Sequence, residues 1–198
     1  MLNIAVLVSG GGTNLQAIID AIELGKIEGA KISLVVSSRN DAYALQRAAN
    51  ANIDAVTIAS KDYENEDDFA DAMIEEFEKR DIGLIVLAGY LTKVPNKLVE
   101  RYPEKIINIH PALIPAFSGK GYYGLHVHRA ALARGVKITG ATVHYVNEGL
   151  DEGKIIMQKA VEVLPDDTPE SLQKRVMELA EWQILPEAIA KIAKEYNS

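Results

Sequence analysis

The alternation of short apolar runs with amphipathic helical patterns is the feature that most constrains the fold of this chain. Five runs have strand-like composition, and most are apolar at consecutive positions, as in strands covered on both faces. They are LNIAVLV (2–8), KISLVVS (31–37), DAVTIA (54–59), GLIVLAG (83–89) and KIINIH (105–110). Helical spacing separates them, at 14–25, 41–52, 65–80 and 95–102. Alternating strands and helices predict a mostly parallel sheet with right-handed crossovers.

The last third of the chain follows a different pattern. Two strand-like runs, at 136–146 and 154–163, have no helix between them, which predicts an antiparallel hairpin. Thr168 is a suitable N-cap and Pro169 a suitable first residue for a final helix, which we expect to reach the C-terminus with a bend near Pro186. The predicted fold is α/β: a Rossmann-like, mostly parallel, twisted sheet with helices on both faces, an antiparallel C-terminal hairpin and a long C-terminal helix.

Composition narrows the class of protein. The 198 residues suit one domain, 1–198, because no repeat, linker or low-complexity segment interrupts them. A net charge of −7 argues against a nucleic-acid partner, since such proteins usually carry basic patches. The absence of cysteine fits a reducing compartment. The first apolar run is too short for a signal peptide or a membrane span, so we expect a cytoplasmic protein without a membrane partner.

A glycine-rich loop, SGGGTN (9–14), follows the first strand and begins the first helix. Glycines allow a ligand to approach closely, and the free N–H groups of a helix start attract anions. The loop is not a dinucleotide fingerprint, because Leu15 stands where the third glycine is required. It is not a P-loop either, because the first lysine is Lys26. The open alternatives are a phosphate site and a simple turn between strand and helix.

Asn108 and His110 share one face of the fifth strand if that strand persists to residue 110, and Pro111 favours extended backbone there. A carboxamide beside an imidazole suits acyl chemistry: the amide stabilises a developing oxyanion and the imidazole moves protons. Acids that could bias the histidine occur in the glycine-bracketed segment 147–155, at Glu148, Asp151 and Glu152. The alternative is that these residues merely end a strand and form a turn.

A zinc site formed by His126 and His128 is the main rival reading of the histidines. The segment GLHVHRAALARG (124–135) has the pattern of a helix start, where side chains two residues apart diverge. Because the chain also lacks cysteine and any H-E-x-x-H motif, we expect no metal site.

Several of these segments together resemble the folate-dependent formyltransferase family over nearly the whole chain. The motifs INIHPALIP (107–115) and LDEG (150–153) are similar to motifs shared by the wider family. The loop SGGGTN is typical of its glycinamide ribonucleotide branch. The resemblance implies transfer of a formyl group from the co-substrate 10-formyltetrahydrofolate to the amine of 5-phosphoribosylglycinamide (GAR) in purine biosynthesis. It implies small-molecule partners, no metal, and a monomer or homodimer.

The resemblance also implies roles for individual residues. Asn108 would hold the formyl oxygen, His110 would act as general acid–base, and Asp151 would raise the pKa of that histidine. The GAR-binding residues would be Gly12, Thr13 and Asn14, at the phosphate, and Glu181, at a ribose hydroxyl. The folate pocket would be lined by Leu91, Thr92, Lys93 and Val94, together with Asn108. The phosphate-binding half would be about 1–100, and the folate and catalytic half about 101–198.

The chain departs from the family pattern at three places. Glu66 lies where the family often has a cation for the folate glutamate tail, with Lys61 nearby; the 116–124 loop is longer than in some members; and Trp182 replaces a frequent histidine. The alternative functions are 10-formyltetrahydrofolate hydrolysis, formylation of another amine, and non-catalytic binding of a phosphorylated metabolite.

Overall fold

The computed structural model describes residues 1–198 and contains one seven-stranded sheet in the order β3-β2-β1-β4-β5-β6-β7. The strands are β1 (Leu2–Val8), β2 (Ala30–Ser37), β3 (Ala55–Thr57), β4 (Ile82–Leu87), β5 (Ile106–His110), β6 (Ile138–Tyr145) and β7 (Ile155–Glu162). Strands β1 to β5 pair in parallel, whereas β6 pairs antiparallel with both β5 and β7. The predicted parallel sheet and C-terminal hairpin are confirmed.

Seven helices connect or follow these strands. They are α1 (Thr13–Glu23), α2 (Tyr43–Asn50), α3 (Glu66–Glu78), α4 (Asn96–Arg101), α5 (Leu125–Arg134), α6 (Pro169–Val176) and α7 (Trp182–Tyr196). A short 3-10 turn, Ser60–Asp62, precedes α3. The edge strand β3 is shorter than the predicted run 54–59, because it pairs with β2 through three residues only and the chain then turns. None of the helices combines the length and the hydropathy that a membrane crossing requires.

The helices cover both faces of the sheet and bury a core on each. The larger core cluster lies between the sheet and α1, α6 and α7, and includes Val6, Ile107 and Leu185. The smaller cluster lies on the opposite face, where Phe69 and Phe77 of α3 pack against the sheet. Consecutive apolar strand residues therefore point into different cores, which explains why the strands are apolar without alternation.

The strand register brings several loops to one edge of the sheet. Leu7 of β1 pairs with Leu87 of β4, and Leu87 pairs with Asn108 of β5. Neighbouring strands lie about 4.8 Å apart, so the glycine loop, the segment after β4 and the end of β5 are close together. This edge holds the carboxyl ends of the parallel strands, where open α/β sheets place their ligands.

The C-terminal helical segment runs to Tyr196 as predicted, but its irregular turn is not at Pro186. The Thr168 side chain accepts a hydrogen bond from the Ser171 N–H and begins α6 as predicted. A π-helical turn at Met177–Glu181 then separates α6 from α7, so the irregularity precedes Pro186. Pro186 lacks an N–H and its ring crowds the carbonyl four residues earlier, at Trp182, where α7 begins. The π-helical turn, which is wider than an α-helical one, also directs the Glu181 side chain into the protein.

Candidate active site

Asn108 and His110 lie on the same face of β5, at its carboxyl end. Their neighbours Ile107 and Ile109 point to the opposite face, into the larger core cluster. His110 is 4% exposed. Its Nε2 donates a hydrogen bond to the Phe117 carbonyl oxygen at 2.8 Å, and its Nδ1 faces a carboxylate. The pair is held in place on the last residues of the strand.

Asp151 reaches this pair from the loop between β6 and β7. Its Oδ2 lies 3.6 Å from His110 Nδ1 and accepts a hydrogen bond from the Gly119 N–H at 2.9 Å. The backbone of Asp151 is left-handed, with φ of 59°, a conformation that aspartate tolerates better than most residues. The structure therefore brings together Asn108, His110 and Asp151, whereas Glu148 is exposed on the same loop.

His144 belongs to the same cluster, although the sequence analysis gave it no role. It lies directly across from Asn108 in the antiparallel pair β5–β6. Its Nδ1 donates to the Tyr145 carbonyl oxygen at 2.8 Å, which leaves Nε2 as an acceptor when the ring carries one proton. In that form Nε2 accepts from Asn108 Nδ2 at 3.2 Å; it also lies 3.6 Å from Asp151 Oδ1. The register between β5 and β6 places His144 opposite Asn108, and the pattern of either strand alone does not reveal that register.

Burial dominates the electrostatics of His110. Desolvation lowers the pKa of His110 below its ordinary value, while Asp151 and the Phe117 carbonyl raise it and His144 lowers it further. Asp151 thus raises the pKa of His110, as expected, but burial outweighs this contribution and the net shift is downward. Burial would raise the pKa of Asp151, but His144, the Gly119 N–H and the charge of His110 together lower it, so Asp151 is ionised at neutral pH.

The glycine loop presents several backbone donors at the start of α1. Gly12 has φ of 71°, and a Cβ there would lie 2.7 Å from the Ala44 Cβ, so α2 packs tightly against this residue. Gln16 N–H begins the helical hydrogen bonds by donating to the Gly12 carbonyl. The N–H groups of residues 11 to 14 donate to no acceptor within the protein. This arrangement suits an anion.

Asn14 and Glu181 form a buried pair beside this loop. Asn14 Nδ2 donates to Glu181 Oε2 at 2.7 Å, joining α1 to the π-helical turn. Burial raises the pKa of Glu181 to about 7, and the hydrogen bond from Asn14 opposes that shift. The Asn14 Oδ1 atom is buried without a partner. Thr13 Oγ1 lies 3.9 Å from the Met177 sulfur, so the same turn contacts both residues.

The segment after β4 is tied to the glycine loop by a buried serine. Ser9 Oγ accepts from the Leu91 N–H at 2.9 Å and exchanges a hydrogen bond with Ser38 at 2.7 Å. Leu91 is 65% exposed, and Val94 packs against the smaller core cluster. The hydroxyl of Tyr90 is buried without a hydrogen-bond partner, and burial raises the pKa of Tyr90 to about 12.

In the region expected to bind the folate glutamate tail, Lys93 is paired with an acid, whereas Lys61 lies away from the segment after β4. Lys93 Nζ pairs with Glu66 at 3.4 Å, and Glu66 also accepts from the Asn96 N–H. Lys61 lies instead with Arg39 around a separate polar cavity after β2 and β3. The region therefore contains a cation, Lys93, and its charge is paired with that of Glu66.

The two histidines of the zinc alternative do not face a common point. His126 is exposed on the first turn of α5, where its ring packs on Tyr123 with centroids 5.0 Å apart. His128 is fully buried, and burial lowers its pKa to about 4. No three acidic or histidine side chains gather in a metal-binding arrangement.

Fold and site together are those of a Rossmann-like α/β enzyme, in which a glycine loop with free N–H groups lies near an imidazole, a carboxamide and a carboxylate. The formyl transferase family model matches residues 2–189, and the chain belongs to this family. It is 42% identical over 186 residues to the phosphoribosylglycinamide formyltransferase of Haemophilus influenzae, covering 94% of this chain and 84% of that protein.

Two further comparisons extend this finding. The chloroplastic phosphoribosylglycinamide formyltransferase of Arabidopsis thaliana is 38% identical over 97% of this chain, which spans 65% of that protein's length. The crystal structure of glycinamide ribonucleotide transformylase 1 from Symbiobacterium toebii superposes with a TM-score of 0.92 at 43% identity, covering 98% of this chain and 89% of that one.

Proposed function

We propose that this protein transfers the formyl group of 10-formyltetrahydrofolate to the primary amine of GAR in purine biosynthesis. The single observation that carries the proposal is the convergence of Asn108, His110 and Asp151 at the edge of the sheet that also presents the free N–H groups of the glycine loop. The relatives that match over most of the chain carry the same activity in their names.

The reaction forms one C–N bond and breaks another. The GAR amine attacks the formyl carbon, giving a tetrahedral intermediate with a negatively charged oxygen. The amine nitrogen then loses a proton, the folate N10 gains one, and the bond between N10 and the formyl carbon breaks. Formyl-GAR and tetrahydrofolate leave. The residues must therefore stabilise an oxyanion and move protons, and no redox change is involved.

Asn108 Nδ2 is the proposed donor to the oxyanion. An amide N–H2 group has two donor hydrogens, and His144 Nε2 accepts one of them. The second is available to the substrate oxygen, while the contact with His144 fixes which end of the amide carries the hydrogens. Protonated His110 adds the positive charge that offsets the oxyanion, and Asp151 stabilises this protonated form.

His110 is the proposed group that moves the proton. Its Nε2 donates to the Phe117 carbonyl, so this carbonyl must give way before the same nitrogen can reach a substrate. Its Nδ1 faces Asp151, which stabilises the proton-bearing form. Burial and Asp151 shift the pKa of His110 in opposite directions, which suits a group that must both take and release a proton.

The substrate-binding roles follow from the two loops. The N–H groups around Gly12, Thr13 and Asn14 are proposed to bind the phosphate of GAR, and Glu181 a ribose hydroxyl. Leu91, Thr92, Lys93 and Val94 are proposed to line the folate pocket. The exposed apolar side chain of Leu91 supports this role, because a pterin ring would cover it.

Steady-state turnover tests the proposal. Purified protein is mixed with 10-formyltetrahydrofolate and GAR, and the folate absorbance change is followed. We expect turnover with GAR, and a loss of about 10²-fold or more in His110→Ala, the usual contribution of general acid–base catalysis. Full activity in His110→Ala would refute the assignment. Formate release without GAR would support the hydrolase, and GAR binding without turnover would support the non-catalytic alternative.

A further inference from the structure

Arg47 contacts the glycine loop from α2, more than thirty residues along the chain. Its Nε donates to the Gly11 carbonyl oxygen at 2.8 Å, and its Nη1 donates to Gln16 Oε1 at 3.0 Å. The guanidinium also packs on the Tyr43 ring, with its central carbon 5.1 Å from the ring centroid. Three contacts of different kinds therefore hold this side chain in one orientation.

The contacts from α2 determine which way the loop amides point. The Gly10 carbonyl accepts from the Ala44 N–H at 3.0 Å, and the Gly11 carbonyl accepts from Arg47. In a trans peptide the C=O and the following N–H point in opposite directions. The N–H groups of Gly11 and Gly12 therefore point away from α2, and neither donates within the protein.

Arg47 also lies beside a cavity next to α1. It lines a cavity of about 840 Å³ between α1 and α7 together with Thr13 and Gln16. A guanidinium has five N–H groups, and the hydrogen bonds to Gly11 and Gln16 use two of them. Arg47 therefore keeps further N–H groups free beside α1, in addition to the two that hold the loop and Gln16.

We propose that Arg47 is a positioning residue for the phosphate-binding loop: by holding the Gly11 carbonyl it directs the loop N–H groups at the phosphate of the substrate. The inference rests on the proposed function in that the phosphate is taken to be that of GAR. It makes a separate claim, which is that substrate affinity depends on a side chain outside the loop and outside the reacting groups.

The test compares Arg47→Met and Arg47→Lys with the wild-type protein. Methionine keeps the apolar stem and loses both donors, and lysine keeps the charge but cannot reproduce the geometry of the planar guanidinium. A hydrogen bond to a charged group corresponds to about tenfold in an equilibrium constant. We expect KM for GAR to rise about tenfold in both variants, with kcat and KM for the folate within about twofold of wild type.

Arg39→Met is the matched control. It removes the same charge at the same edge of the sheet, but the Arg39 guanidinium binds Asp41 and does not contact the loop. We expect wild-type kinetics from it. Gln16→Leu removes the second acceptor of Arg47 while leaving its charge, and should raise KM for GAR by a smaller factor. Melting temperatures within a few degrees of wild type establish that the variants are folded.

The outcomes separate the inference from the proposed function. A wild-type KM in Arg47→Met overturns the inference. So does full rescue by Arg47→Lys, which would reduce the effect to charge, or an equal loss in Arg39→Met. Absence of turnover in wild type overturns the proposed function instead. Calorimetry with inorganic phosphate then still tests Arg47, because weaker binding in Arg47→Met supports its role and equal binding refutes it.

Discussion

Replacing Asp151 with asparagine tests the electrostatic argument of the site most directly. Asparagine has almost the same shape and can still accept from the Gly119 N–H, but it removes the negative charge that faces His110 and His144. That charge favours protonated His110, so its loss lowers the pKa of His110 further, in the direction in which burial already acts. The limb of the pH–rate profile that reports His110 therefore moves to lower pH.

The size of the shift follows from the separation of the charges. At 3.6 Å and an effective dielectric constant of about 20, two unit charges interact by about 4 to 5 kcal/mol. Because the Asp151 carboxylate also interacts with His144 and the Gly119 N–H, its effect on His110 is smaller than that of an isolated charge. We therefore expect the pKa of His110, and with it this limb of the pH–rate profile, to move to lower pH by less than the full interaction energy would give.

The assay is kcat/KM as a function of pH, which reports the ionisation of the free enzyme. Glu148→Gln is the matched control, because it removes the same charge from an exposed position of the same loop. An NMR titration of the His110 ring measures the pKa independently of turnover. A profile that stays in place, or moves to higher pH, would refute the reasoning about Asp151. An equal shift in Glu148→Gln would show that net charge alone is responsible.

Three further changes test other parts of the structure. Asn108→Ala should lower kcat about 10²- to 10³-fold, because it removes the proposed oxyanion donor; steady-state kinetics check this, and a loss below tenfold would exclude the role. Glu181→Gln removes a buried acid whose pKa is raised to about 7. The contribution of Glu181 to stability is present below its unfolded pKa and is lost as pH rises through 7, so the variant should gain about 3 kcal/mol relative to wild type between pH 4 and 9 in urea unfolding; a constant difference would contradict this. Gly12→Ala should cost about 2 to 4 kcal/mol, since it combines a left-handed backbone with a Cβ that overlaps Ala44. Thermal unfolding measures that cost, and a neutral result would show that α2 yields.

The fold was predictable because its signals are local. Consecutive apolar residues in β1 and β4 mark strands that are buried on both faces, and the Thr168 cap with Pro169 marks the start of α6. The π-helical turn at Met177–Glu181 was not predictable in this way. Its position depends on where Pro186 falls relative to the preceding carbonyls and on the hydrogen bond from Asn14 to Glu181, which is a tertiary contact.

The residues of the candidate site also fall into two groups: those predictable from local sequence and those placed by tertiary contacts. Asn108 and His110 could be paired from the sequence, because a spacing of two on one strand puts them on the same face. His144 and Arg47 could not be placed, because their positions depend on the register of β5 with β6 and on the packing of α2 against the glycine loop. Both residues belong to patterns that look ordinary when each segment is considered alone.

Burial at the carboxyl edge of the sheet acts in the same way on two titratable side chains, His110 and Glu181. It favours the neutral form of His110 and the neutral form of Glu181, because a charge loses solvation at both positions. Only at His110 does an ionised neighbour, Asp151, oppose the effect, whereas Glu181 meets a neutral amide. The same edge therefore holds an imidazole whose charge depends on a carboxylate, and a buried acid whose pKa is raised to about 7 beside the glycine loop. A change in pH acts on both, so substrate affinity and turnover should depend on pH through different residues.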